Sequence, residues 1–168
     1  MATCGNLFGS DPGAPILCAP MPHFSFSDLV SHRLLRIDAN KGEAEVRLLL
    51  DDGRVFTMLH HQDCCESVYL EDICGDLGDL INAQVVDARE ETQNDENAGE
   101  SGTWTFYILG TTKGTVTLRW YGSSNGYYSE GVSFCEAERT SEEKALFQAQ
   151  FLEDSTASAH GQSRSLRL

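Results

Sequence analysis

Apolar positions in this chain fall mostly into short strand-like runs, separated by turn-forming residues. Arg33 to Ala39 and Ala44 to Asp51 read as strands around a turn at Asn40-Lys41-Gly42. Asp52-Gly53 then signals a tight hairpin, because both residues tolerate the positive φ angles such turns require. Arg54 to Leu59 returns as the third strand. From Asp63 to Asn82 the spacing changes: Val68, Leu70, Ile73, Leu77, Leu80 and Ile81 recur at steps near the helical period. Gly75 and Gly78 interrupt that run, so the pattern predicts one broken helix or two short ones. Gln84 to Ala88 reads as a strand, and the polar, acidic stretch Gln93 to Gly102 as a loop. Thr103 to Leu109 and Thr115 to Tyr121, joined by Thr112-Lys113-Gly114, form the clearest hairpin in the chain. A turn at Ser123-Ser124-Asn125-Gly126 leads into a further strand, Tyr127 to Phe134. Ser25 to His32 has the look of one or two helical turns. Arg139 to Glu153 has the pattern of an amphipathic helix, with Thr140 or Ser141 as cap and Glu142 and Glu143 near its positive end.

The fold these elements predict is α+β: an antiparallel sheet of about six or seven strands, the Asp63–Asn82 helical segment on one face, and a C-terminal helix beside it. The corresponding divisions are an irregular extension at 1–23, a core domain at 24–138, the helix at 139–154 and a polar, disordered tail at 155–168. A length of 168 residues with 40% hydrophobic content suits one such domain.

A formal net charge of −14 argues against non-specific nucleic-acid binding, which works through a basic face that displaces counterions. It leaves solubility, or an acidic surface offered to a basic partner. Six cysteines with Cys64 and Cys65 adjacent match no extracellular disulfide framework. No apolar run approaches a membrane span and no signal-like N-terminus is present, so the expectation is a cytoplasmic protein with no membrane partner. Exposed strand edges favour self-association as a homo-oligomer.

Two stretches concentrate candidate chemistry. The first is His60-His61-Gln62-Asp63-Cys64-Cys65-Glu66, continuing through Glu71, Asp72, Cys74, Asp76 and Asp79. It offers metal-ligand residue types, but zinc sites use spaced pairs, and adjacent Cys64 and Cys65 point different ways. Activation of either thiol by His60 or His61 at a helix N-terminus is a second reading. The structural account is that Asp63 caps the helix, the cysteines are small buried residues, and the carboxylates lie on a solvated face. No metal and no cofactor follow from it.

The second stretch is Arg119 to Glu130. Its tyrosines offer faces worth about 1–3 kcal/mol per stacked base. Arg119 suits a phosphate, and the Gly-containing turn offers backbone N–H groups. Alternation places Trp120 on the opposite face from Arg119 and Tyr121, so one set is core. Arg47, Arg54 and Lys113 add positive charge if the fold gathers them. The ligand-binding candidates are Arg119, Tyr121, Ser124, Asn125, Tyr127, Tyr128 and Glu130, with His60 and Asp63.

Together, His60 to Asp76, Thr111 to Gly114 and Arg119 to Tyr128 resemble a family of small phage and mobile-element proteins. That family carries a His-x-Gln-Asp-Cys-Cys-Glu motif and an Arg-Trp-Tyr-Gly-x-Ser-Asn-Gly-Tyr-Tyr turn, and the match runs from about Phe26 to Phe134. The Asn-Gly-Tyr-Tyr turn is also similar to that of phage sponge proteins that capture cyclic ADP-ribose-type signals of Thoeris defence. The resemblance implies a non-catalytic counter-defence protein that sequesters a small nucleotide-type signal in the infected bacterial cytoplasm. An acidic inhibitor of a host defence protein, mimicking nucleic acid, and a thiol- or metal-dependent hydrolase are the alternatives.

Overall fold

The computed structural model describes residues 24–150. The expected extension at 1–23, the end of the predicted C-terminal helix and the tail at 155–168 lie outside the described residues. Eight strands follow in order: β1 (Leu34–Asp38), β2 (Glu45–Leu50), β3 (Val55–Leu59), β4 (Glu66–Cys74), β5 (Val85–Asn94), β6 (Ser101–Thr111), β7 (Thr115–Ser124) and β8 (Ser133–Ala137). They form two four-stranded antiparallel sheets, ordered β1-β2-β3-β8 and β4-β7-β6-β5. The expectation of a single six- or seven-stranded sheet is therefore corrected. Val46, Leu48, Phe56 and Met58 from one sheet and Leu70, Tyr107, Leu118 and Trp120 from the other enter one buried cluster. Two apolar faces burying each other remove more surface from water than one sheet with a short helix on it.

The run 63–82 is the second correction. It contains no α-helix: Glu66–Cys74 is strand, and only Leu77–Leu80 is helical, as a single 3₁₀ turn. A β-bulge explains the misleading period. Leu70 pairs with Trp120, yet Asp72 pairs with Arg119 and Ile73 with Leu118. The extra residue at Glu71 puts the next inward side chain three positions on, imitating a helical step. The 3₁₀ turn is opened by Asp76, whose side chain accepts from the Gly78 N–H at 2.8 Å.

The hairpin turns stand where the sequence puts them, with Gly42 and Gly53 at φ +87° and +84°. The loop expected at Gln93 to Gly102 is shorter, because β5 runs to Asn94 and β6 begins at Ser101. Tyr127 to Phe134 is mostly a connection between sheets rather than a strand, with β8 starting at Ser133.

Helix α1 covers 141–150. The Thr140 Oγ1 accepts from the Glu143 N–H at 3.2 Å, and Glu143 Oε2 accepts from the Thr140 N–H at 2.6 Å, a reciprocal capping box. Glu143 also receives a fork of two bonds from Arg47 on β2, at 3.0 and 3.1 Å, which ties the start of α1 to the first sheet. Burial disfavours its ionisation, but Arg47 and the Thr140 N–H outweigh that and hold its carboxyl below the ordinary value.

Candidate functional site

The chain changes sheets at one end of the sandwich along two neighbouring paths. Leu59 at the end of β3 pairs with Ser133 at the start of β8, while Glu66 at the start of β4 pairs with Ser124 at the end of β7. The connections 60–65 and 125–132 therefore run side by side. This brings together the two stretches singled out in the sequence, about sixty residues apart in the chain.

Each connection is organised by a carboxylate. Glu66 is buried and accepts from the Asp63 N–H and, at 3.1 Å, from the Cys64 N–H. The Asp63 N–H foremost, then that of Cys64 and the nearby His60, lower its carboxyl pKa against the effect of burial. Gln62 closes the bend by donating to the Glu66 carbonyl. In the other connection, Glu130 accepts from Thr103 Oγ1 at 2.6 Å and from Ser124 Oγ at 2.7 Å. Burial disfavours its charge, but the hydrogen bonds from Thr103, Ser101 and Ser124 prevail and keep its carboxyl below the usual value. Its backbone lies against Gly122, where a Cβ would stand 2.6 Å from the Glu130 carbonyl oxygen. Glycine is required there because the connection lies flat on the strand.

Two contacts cross between the connections. The His60 Nδ1 hydrogen-bonds the Gly131 carbonyl at 2.8 Å, and its buried Nε2 stands 3.5 Å from Glu66 Oε1, an ion pair when the ring is protonated. The Cys64 side chain beside Tyr128 raises the Tyr128 pKa.

Beside the connections opens a cleft of about 580 Å³, walled by residues 64–67, 98–101, Tyr121 and 123–125. Of the predicted ligand-binding residues, Tyr121, Ser124 and Asn125 line it. Tyr121 donates to Asp95 at 3.0 Å, which raises its pKa, and packs on Trp104 with ring centroids 4.4 Å apart. Asn125 Oδ1 accepts from the Tyr127 N–H at 3.1 Å, an Asx turn that shapes the lip. Tyr127 stands 85% exposed next to the cleft, and Tyr128, Glu130, His60 and Asp63 build its supporting connections rather than its walls.

Arg119 is elsewhere. It lies on the outer face of β7, donates from Nε to Glu71 at 2.7 Å, pairs with Asp72, and sits 5.4 Å over the Trp104 ring. The side-chain hydrogen bond to Glu71 is the main reason its pKa is raised. Trp120, on the opposite face as alternation requires, is fully buried. The other cations are not gathered: Arg47 binds Glu143, Arg54 binds Asp52 and stacks on Phe24, and Lys113 donates to the Ile81 carbonyl. Arg54, with Arg139 and Lys144, instead lines a separate cleft of about 510 Å³ that also holds Asp52, Glu136 and Glu138.

The first stretch differs from its sequence reading in four ways, beginning with Glu66, which is buried rather than on a solvated face. Asp63 caps no helix, since none is there. Cys64 and Cys65 are exposed rather than buried. Their Sγ atoms do not point apart but lie 3.0 Å from each other. Among the described residues, no group of three or more His, Cys, Asp or Glu side chains is placed to hold a metal ion. Sequence reasoning missed the wall at 98–101 and the hydroxyls of Ser101 and Thr103. Only the register of β6 on β7, Ser101 opposite Ser124, brings them in.

The chain belongs to a family: the family model for the domain of unknown function DUF7448 matches residues 27–134. That span takes in β1 to β7 and both connections, ends at the start of β8 and stops short of α1. No curated protein and no solved structure matches the chain. Among the described residues, no helix is long and apolar enough to cross a membrane.

Proposed function

We propose that this protein is a non-catalytic binding protein that captures a small nucleotide-type ligand in the cleft beside the paired connections. The carrying observation is convergence: the His60–Glu66 and Ser124–Glu130 stretches, remote in sequence, shape one concave site. The walls offer the Tyr121 ring for stacking and Ser123, Ser124, Asn125 and the Glu100 carboxylate for hydrogen bonds. They hold no Arg or Lys. The ligand is thus held by its base and sugar hydroxyls, with phosphates directed away from Glu66 and Glu100. The phage and mobile-element resemblance makes sequestration of an immune signal in the infected cytoplasm the biological reading. Self-association would use the β5 edge, where Arg89 to Asn94 are all exposed.

Native mass spectrometry before and after incubation with lysate from defence-triggered cells tests this. Capture gives an added mass of a few hundred daltons, released unchanged on heating and lost in Asn125→Ala and Tyr121→Ala. Arg119→Ala retains it, because Arg119 is outside the cleft. Turnover of the captured species, or an adduct indifferent to both cleft variants, overturns the proposal.

The second reading, an acidic inhibitor of a host defence protein, is favoured by the cation-free walls and the formal charge of −14. It gives a retained protein that salt releases, and no small adduct. Hydrolysis has less support: the described contacts of His60 are to Gly131 and Glu66, with neither thiol among them.

A further inference from the structure

Cys64 and Cys65 are consecutive, both exposed, and in sulfur–sulfur contact at 3.0 Å. On extended backbone adjacent side chains point to opposite faces. Their approach reflects the bend before β4, where the Asp63 and Cys64 N–H groups both turn onto Glu66. Both residues line the cleft.

We propose that Cys64 and Cys65 form a reversible vicinal dithiol–disulfide couple whose oxidant is a small glutathione-type disulfide. The Cys64 thiolate attacks one sulfur of the small disulfide, forming a mixed disulfide and expelling one small thiolate. The Cys65 thiolate then attacks the Cys64 sulfur, closes the ring and expels the second. Two protein thiols are oxidised, one small disulfide is reduced to two thiols, and the two protons pass to the leaving thiolates.

The order of attack follows from the contacts. The Cys65 thiol is pushed up by its hydrogen bond to Cys64, and by the charges of Cys64, Glu66 and Glu100. Cys64 is the attacking sulfur and Cys65 the resolving one. Closure needs the sulfurs to approach by about 1 Å, to the ordinary bond length. Adjacent Cα atoms stand about 3.8 Å apart, inside the spacing disulfides usually span, so the ring is strained and readily reduced. That is the behaviour of a responsive pair rather than a structural bridge. Because the Cys64 N–H also holds Glu66, closure reshapes one wall of the cleft. The inference does not depend on what the cleft binds.

Cys74 is an internal control: it is exposed, and its Sγ contacts Asp72, with no second thiol near it among the described residues. Reduced full-length protein is incubated with oxidised glutathione, alkylated with iodoacetamide and mapped by peptide mass spectrometry. The Cys64–Cys65 peptide is expected two hydrogens lighter, without alkyl group or glutathione, and restored by dithiothreitol, while Cys74 keeps its glutathione. Cys65→Ser is expected to accumulate glutathione on Cys64. A wild-type peptide that retains glutathione, takes two alkyl groups when Cys74 is modified, or is bonded to a third cysteine overturns the proposal.

Discussion

Replacing Glu130 separates the support of the cleft from the cleft itself. Glu130→Ala removes two short charge-assisted hydrogen bonds, from Thr103 at 2.6 Å and Ser124 at 2.7 Å, and keeps the Cβ that packs over Gly122. Hydrogen bonds to charged groups contribute about 1.5–3 kcal/mol each. The site is half-buried, so the freed hydroxyls regain water and the lower end applies, giving roughly 3 kcal/mol for the pair. In a chain of this length that is about 6–12 °C in Tm. Glu130→Gln retains one oxygen, and its amide can donate to the other hydroxyl, so it costs about 1 kcal/mol. Urea denaturation followed by fluorescence of the buried Trp120 measures both. The pH dependence has a fixed sign. The folded-state carboxyl is lowered, so its contribution is complete above the ordinary carboxylate range and is lost as pH falls through the lowered folded value. The gap between wild type and the glutamine variant therefore narrows on acidification below about pH 4. An alanine variant within about 0.5 kcal/mol of wild type refutes the anchoring role, as does a glutamine variant equally damaged.

Three further outcomes follow from the same contacts. Gly122→Ala drives a methyl into the Glu130 backbone and is expected to cost about 1–3 kcal/mol in urea melts; an unchanged midpoint shows that the connection does not lie flat on β7. Glu143→Gln weakens the Arg47 fork and the capping box at once; with Glu143 buried and Arg47 partly exposed, about 2–4 kcal/mol is expected at neutral pH, less in acid as wild-type Glu143 itself protonates, with earlier amide exchange in 141–150 as the check. Arg119→Ala breaks pairs that are about a third exposed, so its cost stays under about 1 kcal/mol, and a larger loss in thermal unfolding contradicts the outer-face assignment.

The strands were legible where turn chemistry and alternation agree, as at Asp52-Gly53 and through Thr115 to Tyr121. The division into two sheets was not, since it depends on which strands pair rather than which residues are strand. β4 failed for a local reason. Leu70 and Ile73 are three apart because Glu71 is a bulge, and without the Trp120 and Leu118 partners that step is indistinguishable from a helical one. The site was half legible. Residue types flagged both stretches, but neither spacing nor composition reveals that β3 pairs with β8 while β4 pairs with β7, and those two pairings bring the stretches side by side. Arg119 shows the opposite limit. Its motif position suggested a phosphate ligand, whereas Glu71 and Asp72 across the sheet take up its guanidinium.

The two connections also explain why the cleft is acidic. A segment leaving one sheet for another loses its ladder partners, and its backbone N–H groups and neighbouring hydroxyls need acceptors near them. Here two glutamates serve, Glu66 for the amides of 63 and 64 and Glu130 for the hydroxyls of Thr103 and Ser124. Both carry lowered pKa values, so both stay ionised at neutral pH, and the wall they support holds negative charge. With no Arg or Lys in the lining to offset it, the field at the cleft is unfavourable to exposed phosphate and favourable to cationic groups. Acidity at this end of the sandwich thus arises from how the connections are held, through the same two residues that keep the cleft in shape.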